Sequence, residues 1–307
     1  STQFIPLFGW SGGIWRSIFL AVSAFCNAGF DLMGDYSGAY SNLAAFNDNP
    51  VVLLTLMLLI ICGGIGFLVW DDLVDFVRHK NRISVYTRFV LLATAILLVL
   101  GTLLVYLFEM GNPETLGKLP VGQRFLAAAF HSVSTRTAGF SSIDNALFTD
   151  STKMISVIFM LIGGAAGSTA GGLKVGTVGL ILYTVFYAAS GRSEIILFKR
   201  KISQETILRA VSIVGIGLIL TFLSAFSIAL SDNVPFLSAL YETASAIATV
   251  GLSLSLTPSL SLFAHCVLML LMFFGKVGFL TVTFSILLRS AARKKCIAYP
   301  ETNILIG

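Results

Sequence analysis

The chain has 307 residues, of which 56% are hydrophobic and 11% charged, with a formal net charge of +5. A soluble domain carries about 25% charged residues, so this composition excludes a water-soluble globule and leaves a membrane protein with room for several spans. Four cysteines (Cys26, Cys62, Cys266, Cys296) form no CxxC pair and three histidines (His79, His131, His265) are scattered; the cysteines read as apolar fillers, and neither a disulfide framework nor a metal site is expected.

In chain order, STQFIPLFGW opens without an initiator Met or a signal sequence, and Ser1 reads as an internal point of a longer protein. Residues 14–26 form a first short apolar piece. Residues 50–70 and 89–108 are uncharged runs long enough to cross a membrane, since a crossing helix needs roughly 20 apolar residues. A second short piece covers 125–134. Residues 154–173 qualify as a span, and after Lys174 the apolar character resumes over 175–189. Residues 210–230 make a further span, 235–247 a third short piece, and 259–275 a last span that continues past Lys276 over 277–288. The short pieces have about 10 to 13 residues each, a length that suits a re-entrant half-helix better than a crossing.

Lysine and arginine in short loops mark the cytoplasmic side. Arg78, Lys80, Arg82 and Arg88 form one such cluster; Arg192, Lys199, Arg200, Lys201 and Arg209 a second; Arg289, Arg293, Lys294 and Lys295 a third. Asp31, Asp35, Asp48, Glu109, Glu114, Asp144, Asp150, Asp232 and Glu242 occupy the other connections, which are placed outside. The recurring unit is then span, re-entrant helix, span.

The unit repeats. SAFCNAGFDL surrounds Gly29, STRTAGFSSI surrounds Gly139 and SAIATVGLSL surrounds Gly251, at spacings of 110 and 112 residues. Each copy closes one short helix. If a whole earlier copy is missing, about 130 residues precede Ser1 on this repeat period. The expected division is residues 1–80, a second unit without its first span; 81–195, a third unit with a broken second span; and 196–307, a fourth unit and tail.

Irregular backbone at membrane depth is tolerated only inside protein or along a water-filled path. Strands centred on Cys26, Asn27, Ala28 and Gly29, on Arg136, Thr137, Ala138 and Gly139, and on Ala248, Thr249, Val250 and Gly251 are therefore expected to aim carbonyl oxygens at one axis. Such rings replace the water shell of a small cation, glycine supplies the positive φ that turns a carbonyl inward, and half-helix C-termini favour cations. The side chains of Asn27, Thr137 and Thr249 either bond the wall or add oxygen ligands. Arg136 would repel a cation and is expected to turn away and brace the strand against a carboxylate, Glu242 first and Asp144 second.

The stretch GGAAGSTAGGLKVGT, residues 163–177, is too rich in glycine for a helix interior. Small-residue helix packing explains Gly163, Gly167 and Gly171 but not Ser168, Thr169 and Lys174. A broken helix is expected, with Gly163, Gly164, Gly167, Ser168, Thr169, Gly171, Gly172 and Lys174 forming a polar plug, a gate below the strands. Lys276 in GKVGFLTV is either an electrostatic barrier in the pore or a lysine that snorkels or pairs with a carboxylate.

NAGFD, STRTAGF, TVGLS, GGAAGSTAGGLKVGT and the closing YPETNILIG together resemble the Trk/Ktr/HKT superfamily of potassium transporters, in particular the membrane subunits of bacterial Ktr systems. The resemblance implies an all-α membrane protein in which span–pore helix–span units surround a pseudo-fourfold pore, the first and part of the second being absent from this chain. It implies a homodimer with one pore per protomer, a cytoplasmic nucleotide-binding regulatory ring (KtrA-like), and potassium uptake stimulated by sodium. No catalytic group or cofactor is implied; K+ is the permeant ion and Na+ an activator. The location implied is the inner (plasma) membrane, multi-pass, with the C-terminus in the cytoplasm.

Two other function classes share single features of this sequence. A secondary cation-coupled, symporter-like transporter with a midplane substrate site would share the broken helix, but the repeats share one orientation by the charge rule. An intramembrane enzyme would rest on Ser168 with His131, a pair without an orienting third group.

Overall fold

The structure is a computed structural model that describes residues 1–38, 40–80, 82–191, 195–198 and 200–277. The charges expected at Arg192, Lys199, Arg289, Arg293, Lys294 and Lys295, the last span beyond residue 277, and the YPETNILIG ending lie outside the described residues.

The described elements are α1 (Ile5–Phe25), α2 (Gly34–Ser37), α3 (Pro50–Ile65), α4 (Phe67–His79), α5 (Val85–Glu109), α6 (Val121–Ser134), α7 (Asp150–Leu161), α8 (Val175–Ala189), a two-residue hairpin pair β1 (Ile196–Leu197) and β2 (Arg200–Lys201), α9 (Gln204–Asp232), α10 (Phe236–Ile247) and α11 (Leu262–Val277). Several long helices begin on a side-chain cap. Asn49 accepts from the amides of Val51 and Val52, Ser84 from Thr87, Thr149 from Thr152 and Ser203 from Thr206. Each such cap satisfies an orphan amide and contributes about 1 kcal/mol.

Among the described helices α1, α5 and α9 are long and apolar enough to cross a membrane, and the bent pair α3–α4 would make a fourth span. Two elements differ from the sequence pattern. The first short piece, expected over 14–26, belongs to a helix of 21 residues that starts at Ile5 and is kinked at Gly9, where φ is +72°. The run expected to span continuously over 50–70 stops at Ile65, and α4 leaves at 95° to α3. The cause is Gly66, at φ +91°. The amide of Phe67 bonds Gly167 O at 3.0 Å instead of continuing the α3 ladder, and a Cβ at Gly66 would lie 2.7 Å from the Ala166 carbonyl. Hydropathy alone does not register such a break.

Packing follows membrane logic. On α5, Leu92, Ile96, Val99 and Leu103 are exposed while Thr87, Thr94, Gly101 and Thr102 are buried. Large apolar residues face lipid and small or hydroxyl residues face protein, which lets helices approach closely. The short helices α6 and α10 are strongly enclosed. All residues of α10 from Ala239 to Ile247 are buried, between α9, α7 and α11, and α6 is seated between α5 and α3.

Candidate functional site

Each of α1, α6 and α10 ends in a turn that delivers the chain into an irregular strand. In all three the residue two before the glycine is left-handed: Asn27 at φ 50°, Thr137 at 64° and Thr249 at 52°, followed by Gly29 at 74°, Gly139 at 77° and Gly251 at 91°. A β-branched threonine at positive φ is an outlier that surrounding structure must hold in place. The amides of Ala28 and Val250 return to Ser23 O and Ser245 O, both at 2.8 Å, and that of Ala138 to Ser134 O at 3.0 Å.

The three strands meet. A Cβ built on Gly29 would lie 2.6 Å from Ala138 O and 3.0 Å from the Gly139 Cα, one on Gly139 would collide with Val250 O, and one on Gly251 would lie 3.7 Å from the Gly139 Cα. The same relation, glycine of one strand against the preceding carbonyl of the next, thus links the first strand to the second and the second to the third. Cys26 and Ala248 cap their helices, Cys26 exposed and Ala248 buried.

The side chains of the left-handed residues differ in use. Asn27 Nδ2 donates to Arg136 O at 3.3 Å. Thr137 Oγ1 is buried without a hydrogen-bond partner. Thr249 Oγ1 sits where a Cβ on Gly171 would be.

Beneath the strands the helix breaks between α7 and α8. Residues 162–174 leave and return through a bridge between Ile162 and Leu173, with Gly163 N–H on Leu173 O at 2.8 Å and Val175 N–H on Gly164 O at 3.0 Å. The segment is tied to the α3–α4 corner by Ala165 N–H on Gly64 O at 2.9 Å and Thr169 N–H on Gly63 O at 3.4 Å. Ser168 Oγ returns to Ala165 O at 2.7 Å. Gly172 packs on Ala248, its Cβ position 3.2 Å from that of the alanine. Two lysines hold successive carbonyls of the same segment: Lys276 Nζ on Thr169 O at 2.8 Å and Lys174 Nζ on Ala170 O at 2.7 Å.

The expected brace between Arg136 and Glu242 is not formed, nor is the one to Asp144. Arg136 is buried, its guanidinium reaches Thr94 Oγ1 at 3.4 Å, and its Nε has no partner. Glu242 is satisfied by its own strand, accepting from Ser253 Oγ at 2.6 Å, Leu254 N–H at 3.0 Å and Thr257 Oγ1 at 2.7 Å. Asp144 caps Ala146. His131 bonds Ser156 Oγ at 2.8 Å, not Ser168.

Sequence reasoning missed two sets. Ser23 Oγ donates to Phe30 O at 2.7 Å, Ser134 Oγ to Phe140 O, and Gly251 N–H to Ser245 Oγ at 3.2 Å, so a serine latches each strand to its own helix. A serine five or six residues before each glycine was the available signal. The second set is Gly63 and Gly275, where a Cβ would collide with the carbonyls of Phe25 and Ile247 at the half-helix ends; Gly163 and Gly275 each follow their strand glycine by 24 residues.

The described helices make an all-α membrane fold with several crossings. Over 95% of its length the chain is similar to the crystal structure of the potassium transporter TrkH from Vibrio parahaemolyticus, with a TM-score of 0.70 at 18% identity, covering 69% of that chain. The family model described as cation transport protein, TrkH, matches residues 8–295. Over its full length the chain is 38% identical to the potassium/sodium uptake protein NtpJ of Enterococcus hirae and 36% identical to the Ktr system potassium uptake protein B of Bacillus subtilis, covering 67% of each. The chain belongs to the Trk/Ktr/HKT superfamily of potassium transporters, and is a transporter rather than an enzyme. It spans about two thirds of the length of the curated relatives it matches.

Proposed function

We propose that the chain conducts potassium passively through backbone carbonyls of residues 26–29, 136–139 and 248–251. The observation that carries this reading is the meeting of the strands at Gly29, Gly139 and Gly251, with the first against the second and the second against the third in the same glycine-to-carbonyl approach. Converging carbonyls replace a hydration shell, and the C-terminal ends of α1, α6 and α10 add negative dipole ends beside them. Inward movement of one monovalent cation gains about 2.3 kcal/mol per 100 mV, so the membrane potential suffices as driving force.

Residues 163–174 act in this reading as the gate. They lie across the strand ends and are held there by main-chain bonds to Gly63 and Gly64 and by two lysines. Lys276 is the electrostatic barrier, a role favoured by its contact with the gate rather than with a carboxylate. Residues 1–80, 81–195 and 196–307 contribute successive units around a pseudo-fourfold axis. The working assembly is a homodimer in the plasma membrane, stimulated by sodium, with its C-terminus in the cytoplasm and a cytoplasmic nucleotide-binding ring (KtrA-like) as regulatory partner. The family resemblance supports these last assignments.

The test is flux. The complete native protein in proteoliposomes should take up rubidium in proportion to an imposed inside-negative potential, without any co-substrate gradient. Uptake that ignores voltage and demands a second solute gradient would overturn conduction in favour of coupled transport at a midplane site.

A further inference from the structure

The underside of the first strand holds a cluster of oxygens around one hydroxyl. Thr169 Oγ1 lies 3.2 Å from Phe25 O, 3.3 Å from Asn27 Oδ1 and 3.2 Å from Gly63 O. A threonine hydroxyl has one proton to donate, so one hydroxyl serves three acceptors, of which Gly63 O alone receives a second donor, the Thr169 amide at 3.4 Å. Each acceptor is there for a separate reason. Phe25 is the last residue of α1, and the last carbonyls of a helix lack intrahelical partners. Gly63 lost its helical donor when Gly66 turned the chain and gave the Phe67 amide to Gly167 O. The Asn27 amide is oriented by its Nδ2, which is spent on Arg136 O, and this leaves Oδ1 facing the hydroxyl.

We infer that Phe25 O, Asn27 Oδ1 and Gly63 O form a binding site for a monovalent alkali cation, and that the Thr169 hydroxyl is its tethered competitor. The assignment rests on the gate reading of residues 163–174 given above. All three ligands are neutral oxygens, two of them main-chain carbonyls, a set that serves alkali ions and serves divalent ions poorly, since those favour carboxylates. The carbonyl at a helix C-terminus adds the negative end of the α1 dipole.

Closed loop and bound cation exclude one another on two grounds. The hydroxyl fills the space between the three oxygens. The closed loop also sets Thr169 O against Lys276 and Ala170 O against Lys174, at 2.8 and 2.7 Å, so in the closed state two ammonium groups stand beside the residue that fills the site. An arriving ion therefore displaces the loop, and a departing ion readmits it. Permeant-ion occupancy holds the gate open.

Amide hydrogen exchange over residues 163–174 reads loop release directly, through the bonds of Ala165 to Gly64 O and Thr169 to Gly63 O. In the complete native protein, replacing N-methyl-D-glucamine by potassium at constant ionic strength should accelerate exchange across this loop and leave the amides of α5 and α9 unchanged. Potassium that leaves the loop unaffected overturns the site. Thr169→Val should raise loop exchange about five- to tenfold in N-methyl-D-glucamine, the equivalent of one lost hydrogen bond, and abolish the further acceleration by potassium; Thr169→Ser should retain both wild-type behaviours. Valine behaving as wild type in a protein whose α5 and α9 amides stay protected also overturns it. Exchange reports on the site whether or not flux is measured, so absence of voltage-driven rubidium uptake in the wild type would count against conduction alone.

Discussion

Gly139 stands where two neighbouring strands leave no space for a side chain. Its φ of +77° would cost an alanine about 1–2 kcal/mol, and the Cβ would also collide with the Val250 carbonyl. Neither group can swing aside as a flexible side chain would, because both belong to main chain pinned by Ser134 and Ser245. Gly139→Ala is therefore expected to move the second strand relative to the third, lower the unfolding midpoint of the detergent-solubilised protein, and reduce rubidium uptake at least about tenfold, the effect of some 1.4 kcal/mol on ion occupancy. Gly215 is the matched control: it lies in α9 with nothing within 4 Å of its Cβ position, and alanine there should leave uptake unchanged and stability equal or improved by up to about 1 kcal/mol. Equal behaviour of the two variants would contradict the close approach of the strands.

At the scale of the element, the 162–174 loop and the α3–α4 corner are one device, since the Gly66 turn exposes the carbonyls of Gly63 and Gly64 that the loop binds. Gly171 rests against Thr249, and a Cβ at 171 would coincide with the threonine hydroxyl. Thr249 is stiff at χ1 and already in a left-handed conformation, so the loop rather than the strand should yield. Gly171→Ala is expected to raise rubidium leak several-fold without loss of folded protein, read by uptake together with gel-filtration yield; unchanged leak in a well-folded variant would remove the loop from the conduction path. The broken helix was legible in the sequence because six glycines and a lysine cannot share one span. The α3 break was not, although GGIG marked the place, because the partner that stabilises the turn, Gly167, lies a hundred residues away and leaves no trace in local hydropathy. The Arg136–Glu242 pairing failed for a related reason. Opposite charge named Glu242 as a partner, but Ser253 and Thr257, close to it in sequence, satisfy both of its oxygens first.

For the whole molecule, the question is which end of each helix faces the cytoplasm. The three strand motifs and their period were readable because a filter-like strand needs a short, local set of residues; how the strands meet needed coordinates, since no residue near Gly29 specifies Ala138 as its neighbour. Sidedness is the intermediate case. Arg78, Lys80, Arg82 and Arg88 gather before or at the start of α5, and Arg200, Lys201 and Arg209 around the start of α9, whereas Glu109 and Asp232 close these two helices. The connection between α5 and α7 carries fewer basic residues, Lys118, Arg124 and Lys153, of which Arg124 donates to Leu119 O at 2.6 Å and Gly117 O at 2.8 Å and Lys153 lies 3.7 Å from Asp150. Lysine and arginine in short connections set orientation, so the starts of α5 and α9 are expected in the cytoplasm and the start of α7 outside. Ser203, the exposed cap of α9, and Ser151, exposed in the first turn of α7, report the two sides. In intact cells a membrane-impermeant thiol reagent should modify Ser151→Cys and not Ser203→Cys, above the background of the parent chain; in inside-out vesicles the pattern should reverse. Labelling of Ser203→Cys from outside would invert the assigned topology and place residues 163–174 on the extracellular side of the strands, where a cytoplasmic regulatory partner could not act on them.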